Sequence, residues 1–377
     1  MSGAHVSPLF GLLDAAGGVS TEYHGGRLVR HFGDPRREYE AATTGVAVVD
    51  RSHRTRLRVS GRSPAQMLNG VLTGAMPKVP DSVEPGVLGG TATYHAVLTP
   101  KGKMITDLVA HLPGSEEEVG FLLDVPMAGR DGLLAHFGKF IPPRFASVED
   151  VSERCASISV VGPEAPGLLS RVALGLRVDP EWLSGSLEGE WRSVGSDGNG
   201  LVVIRAGDVW PLNWTVHGST DAVAALWRAL VEAGAVPAGL GVWKTLGVEA
   251  GRPVFGTDMD ETTLPPEAGI VDRAIDQTKG CYTGQEVIVR IRDRGHVNRQ
   301  LRRLVFKDGP APVPGTELLA VDSDKVVGTI TSAVQSPRLG GVATLAYVRR
   351  GVERVRLGDE EVTVPDSFPT PEIPPTT

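Results

Sequence analysis

Thiols are scarce in this 377-residue chain, which carries only Cys155 and Cys281. Two cysteines exclude a disulfide scaffold and cannot supply the four thiolates of a standard iron–sulfur cluster. Neither CxxC nor HExxH occurs, and the nine histidines are scattered, so no resident metal is expected. No run of 18 apolar residues is present, and the N-terminus lacks a basic stretch followed by an apolar one. That pattern predicts neither a membrane span nor a signal peptide, and hence a soluble, cytoplasmic protein. Lysine is also sparse, eight against 30 arginines, which reads as coding bias rather than function. With 38 basic against 45 acidic residues the net charge is −7, which disfavours a surface shaped throughout for nucleic acid.

What is present points to a folded, turn-rich chain. Hydrophobic residues make up 41%, enough for a sizeable core, and the length suits two or three domains. The 47 glycines and 28 prolines have no collagen period and predict many turns and much β structure.

An internal repeat organises the first 300 residues. VSGRSPAQMLNGVLTG (59–74) and VVGPEAPGLLSRVALG (160–175) share Val59/Val160, Gly61/Gly162, Leu68/Leu169, Val71/Val172 and Gly74/Gly175 at an offset of 101. Each segment follows an alternating, strand-like run, residues 56–59 and 157–160, and each then enters a helix. Ser63, Pro64 and Gln66 give the first helix a start signal. Hairpin-like stretches follow at 92–111 and 201–217, and then helices at 127–137 and 221–233. Two strand–helix–strand–strand–helix units predict an α+β fold of two pseudo-repeated, ferredoxin-like subdomains. From Arg299 short strand-like runs at 301–306, 317–321, 326–332, 342–348 and 361–364 alternate with Gly/Pro turns and predict a small β-barrel. The expected divisions are 1–150, 151–298, 299–364 and a proline-rich disordered tail, 365–377.

The densest cluster of unusual residues is Lys279-Gly280-Cys281-Tyr282-Thr283-Gly284-Gln285-Glu286. Glycines bracket the thiol and permit a tight turn, and Lys279 two residues away would favour the thiolate. A buried cysteine in a turn is the bland alternative, and it is the default for Cys155 on a predicted strand. The string is similar to the K-G-C-[FY]-x-G-Q-E signature of the YgfZ family, which in turn resembles the glycine cleavage T-protein. LGVEAGRPVFGTDMDETTLPPEAG (246–269) and GTITSAVQSPRLGGVATLAYV (328–348) look like further T-protein stretches.

The resemblance implies a three-part ring around a channel that binds tetrahydrofolate, with the cysteine loop facing it. It also implies an accessory role for iron–sulfur client or assembly proteins, including enzymes that modify tRNA. On this reading Cys281, Lys279 and Asp107 carry the chemistry, and Asp107, Asp208, Glu249, Tyr282, Tyr94 and Lys244 contact the folate. Trp210 is a further candidate aromatic wall. Two departures stand out. Thr106 replaces one acid of an expected pair beside Asp107, and Trp243 replaces an arginine expected to hold the folate tail, with Lys244 as a substitute. The alternative is a folate-dependent aminomethyl transferase of the T-protein type, against which the missing acid counts. The stretch RIRDRGHVNRQLRR (290–303) holds six arginines and reads as a solvated basic face, with weak contact to RNA phosphates or to a polyglutamate tail as alternatives. Residues 286–291 are β-branched-rich and favour strand by propensity, whereas the resemblance implies a helix from Gln285.

Overall fold

The computed structural model describes residues 5–114, 119–172, 177–194, 200–307 and 309–368. The fold is α+β as the repeat predicts. The first unit is a five-stranded sheet in the order Ser147–Asp150, Thr55–Ser60, Phe121–Val125, Met104–His111, Thr93–Leu98. Helices Pro64–Asn69 and Arg130–Phe140 cover one face, where Leu57, Leu68, Leu108, Phe121 and Phe137 form the core.

The second unit repeats this plan around Cys155–Val161, Val202–Ala206 and Asn213–Ser219, with helices Ala165–Arg171 and Thr220–Glu232. Ser219 caps the longer helix by accepting from the Ala222 N–H, and Val223, Leu226, Trp227 and Leu230 are its buried stripe. Gly175, the last match of the repeat, lies outside the described residues.

The boundary expected at residue 150 is crossed by sheet pairing. Ala47–Asp50 runs beside Cys155–Val161, and Asp81–Glu84 and Val87–Thr91 extend the far edge of the same eight-stranded sheet. The cause is hydrophobic: Val48 completes the core of the second unit, and Val49 packs against the helix Leu240–Ala250. Ahead of it, His5–Val6, Val19–Tyr23 and Gly26–His31 form a small separate sheet.

The C-terminal unit is a six-stranded antiparallel half-barrel. All five strand-like runs read from the sequence are present, and Arg354–Leu357 adds a sixth. Leu304, Phe306, Ile330, Ala346 and Val355 fill it. The tail departs from the expected disorder at its start. The Asp366 carbonyl accepts from Arg302, and the Phe368 ring lies beneath that guanidinium, 4.7 Å from centroid to carbon. Phe368 also packs against Gly269 so closely that a Cβ there would lie 2.0 Å from two ring carbons. Residues 369–377 lie outside the described part.

Candidate functional site

A cavity of about 560 Å³ opens where the two sheets, the helix Leu240–Ala250 and the barrel strand Val326–Ser336 face one another. Strand alternation decides what reaches it. On Met104–His111, Asp107 and Val109 face the cavity, whereas Leu108 and Ala110 face the helix-covered core. Thr106 sits on that second side, fully buried, and so close to Gly129 that a Cβ added there would lie 1.9 Å from its Oγ1. A carboxylate at position 106 would point into the helix layer, so its absence removes nothing from the cavity.

Asp107 is 6% exposed. Its Oδ2 accepts from the Tyr94 hydroxyl at 2.7 Å, and its Oδ1 is buried with no partner. Burial pushes this carboxyl above the ordinary range, against the opposing pull of Arg54 and the Tyr94 hydroxyl. The Tyr94 phenol is raised as well, first by burial and then by the charge of Asp107. Arg273 lies over the Tyr94 ring at 4.5 Å and is paired with Glu188, which fixes the ring's outer face.

Asp208 and Lys244 also line the cavity, as the resemblance implied. Arg51 and Arg54 line it too and were not singled out from the sequence, nor were Arg30, Arg252 and Arg273 on the same wall. Arg54 and Arg56 both donate to Asp124, whose carboxyl burial would raise but whose two guanidinium partners hold it low. Arg51 is 7% exposed and stacks on Trp243, 4.0 Å from the ring centroid. Burial, reinforced by the neighbouring charge of Arg54, lowers its guanidinium to about 10. Trp243 therefore serves as the platform for an arginine from elsewhere in the chain. The available signal was the charged run Asp50-Arg51-Ser52-His53-Arg54 between two apolar strands.

The cysteine loop does not line this cavity. Cys281 is exposed on the outer surface. Lys279 turns its ammonium onto the carbonyls of Leu72 and Gly74, at 2.7 and 3.0 Å, and burial lowers it to about 8. Tyr282 is 7% exposed and packs with Ala96, Leu98 and Met104 as core. Gly284 has φ 85°, and a Cβ there would meet the Thr99 carbonyl at 2.6 Å, so the second glycine of the motif seats the loop against the first hairpin. The following segment is the helix Gln285–Arg294, as the resemblance rather than the propensity implied. Four of the six arginines in 290–303 are committed: Arg292 to Asp293, Arg299 to Glu267, Arg302 to the Asp366 carbonyl and Arg303 to the Glu249 carbonyl.

Glu249 is likewise not a cavity residue. It is fully buried, accepts from Tyr39 and Ser336, and lies 3.6 Å from Arg338 Nε. Trp210 stands outside the cavity beneath the Arg338 guanidinium. Among the described residues no three His, Cys, Asp or Glu side chains are grouped to hold a metal, and no helix is long and apolar enough to cross a membrane.

The GCVT N-terminal domain profile matches residues 9–279, and that of the glycine cleavage T-protein C-terminal barrel domain matches 299–366. An aminomethyltransferase of Rubrobacter xylanophilus is 30% identical over 346 residues, covering 91% of this chain and 86% of the relative. One of Nitrosococcus oceani is 31% identical over 268 residues, covering 71% and 67%. The crystal structure of the glycine cleavage system aminomethyltransferase T from Bartonella henselae superposes with a TM-score of 0.80, at 18% identity and over 97% of both chains. A matched profile on each side of residue 299, together with full-length relatives, places the chain in the T-protein (GcvT) aminomethyltransferase superfamily.

Proposed function

We propose that the chain binds a reduced folate in the 560 Å³ cavity and uses it for one-carbon transfer of the aminomethyltransferase type. The observation that carries this is Asp107. Its Oδ2 is pinned by Tyr94, while Oδ1 is buried and unpartnered on the cavity wall. A buried carboxylate oxygen without a partner is costly, and a ligand N–H or protonated amine offsets that cost. A reduced pterin presents N–H donors of this kind, and its secondary amine is the group that accepts the one-carbon unit. Asp107 would hold that amine, Tyr94 would fix the carboxylate's rotamer, and Arg51 with Lys244 would attract the acidic tail. The names of the relatives support the transferase over the iron–sulfur accessory role that the cysteine motif first suggested. The reversal also rests on Thr106, since the acid it lacks would not have reached the cavity.

The test is titration calorimetry with tetrahydrofolate, followed by a reconstituted assay for methylenetetrahydrofolate from an aminomethylated lipoyl carrier. Micromolar-scale binding, about −8 kcal/mol, with turnover that Asp107→Asn abolishes supports the reading. Binding without turnover leaves the accessory reading in its place. One observation favours that second reading: Cys281 is exposed on a loop outside the folate cavity, where a client iron–sulfur protein in the cytoplasm could reach it.

A further inference from the structure

A second cavity, of about 380 Å³, lies behind a wall of Tyr94, Val109, Asp208 and Arg273 that it shares with the first. His111 ends the strand Met104–His111 of the first unit and His217 lies on Asn213–Ser219 of the second, strands that do not correspond in the repeat, and the two side chains come together where the units meet. The two rings lie 4.7 Å apart between centroids, and Trp191 stands edge-on to His111 at 6.2 Å.

The two side chains are 3% and 6% exposed, yet neither nitrogen of His111 and not Nε2 of His217 has a hydrogen-bond partner. Buried polar atoms in native proteins are almost always paired, so three such atoms on one cavity wall mark a place where a partner from outside the chain belongs. Burial keeps both rings neutral, pushing His111 down to about 3 and His217 down in the same direction. Each neutral ring carries one N–H to donate.

The fixed charges around them are ordered by depth. Near the base, Arg56 is 4% exposed and shares Asp124 with Arg54, which leaves one net positive charge there, and Arg205 is half-buried against two backbone carbonyls. The lining residue Glu188 is neutralised by Arg252 and Arg273, and the less buried carboxylates are Asp208, half-buried, with Asp272 and Asp276, exposed, none of the three in a salt bridge among the described residues. A cation at the base would meet the field of Arg56. An anion alone would leave the acidic mouth uncompensated.

We propose that this cavity is a second ligand site, for a small zwitterion of the amino-acid class. Its carboxylate accepts N–H groups from His111 and His217 in the positive field of Arg56 and Arg205, and its ammonium faces Asp208 and Asp272. The two sites share Asp208 on their common wall, but the inference does not rest on the folate reading, because neither histidine borders the folate cavity.

Titration calorimetry of the full chain with glycine, sarcosine, acetate and methylamine tests it. Saturable binding of glycine or sarcosine is expected, about tenfold or more tighter than acetate or methylamine. His111→Leu and His217→Leu should each weaken it by about tenfold or more. Their fold is checked by circular dichroism, and Asp272→Asn, at the exposed mouth, weakens binding without touching the core. No saturable heat with either amino acid overturns the proposal. So does acetate binding as tightly as glycine, and so do folded histidine variants that bind like the wild type. Since the readout is amino-acid binding, a failure with tetrahydrofolate sinks the folate reading and leaves this one standing.

Discussion

Glu249 gives the sharpest test of whether a residue that resembles a ligand contact is one. Its side chain takes the Tyr39 hydroxyl at 2.9 and 3.1 Å and the Ser336 hydroxyl at 2.5 Å, and lies beside Arg338. It thereby ties Pro35–Thr44 and Leu240–Ala250 to the barrel strand Val326–Ser336. The Glu249→Ala substitution leaves the buried Ser336 hydroxyl without its acceptor, takes the carboxylate from the half-buried Tyr39 hydroxyl and from Arg338, and opens a void at a fully buried position. Breaking a buried pair of this kind costs about 3–5 kcal/mol. With an unfolding entropy of ~2.1 cal/mol/K per residue, a chain of 377 residues should lose ~4–6 °C in melting midpoint. Glu249→Gln keeps an acceptor for Tyr39 and loses only the charge, so it should cost about 1–2 kcal/mol. Differential scanning fluorimetry reads both, alongside folate calorimetry on the same preparations. An unchanged midpoint with folate binding abolished would falsify the clamp and return Glu249 to the ligand.

Asp107→Asn should abolish tetrahydrofolate binding while raising the melting midpoint at neutral pH. The carboxyl is raised in the folded state, so its burial penalty grows as pH rises from the ordinary carboxylate range through the folded value and is fully present above it. A wild-type midpoint that climbs over the same window would contradict this. Cys281 should be alkylated by iodoacetamide well before Cys155, which is partly buried and whose thiol burial pushes up. Saturating folate should leave the Cys281 rate unchanged, and protection by folate would place the loop in the cavity after all. Gly129→Ala should destabilise by about 1–3 kcal/mol through overpacking on Thr106, and a neutral result in a denaturant melt would show that the strand can shift.

The repeated units and the barrel were legible because they rest on local periodicity: Leu57 and Val59 alternate, and Leu226 and Leu230 stack on one helix face. The site was legible only in part. Asp107, Asp208, Tyr94 and Lys244 do converge on the cavity. Glu249, Tyr282 and Lys279 are spoken for by partners 210, 184 and 207 positions away: Tyr39, Leu98 and the Leu72 carbonyl. A motif read along the chain shows which residue types are adjacent, not which way the backbone turns them. The same limit hid Arg51, whose platform Trp243 comes from a helix far along the sequence. The histidine pair was hidden in the same way: His111 and His217 lie on strands that do not correspond in the two units, and only the packing of one sheet on the other brings their rings together.

The strand Ala47–Asp50 pairs with Cys155–Val161 and Val236–Ala238, not with its own sequence neighbours. During synthesis at about 5–20 residues per second, it leaves the ribosome on the order of 5–20 s before its first partner. Through that interval three consecutive valine and alanine positions are an open sheet edge, available to any strand that comes by. Neither half of the chain can be expressed as a self-sufficient fragment on this account. A cut near residue 150 would leave one piece with three orphan strands, Ala47–Asp50, Asp81–Glu84 and Val87–Thr91, and the other with a sheet that lacks all three. The two pieces should recover a native fold only when mixed, which makes the protein a natural candidate for reconstitution from split parts.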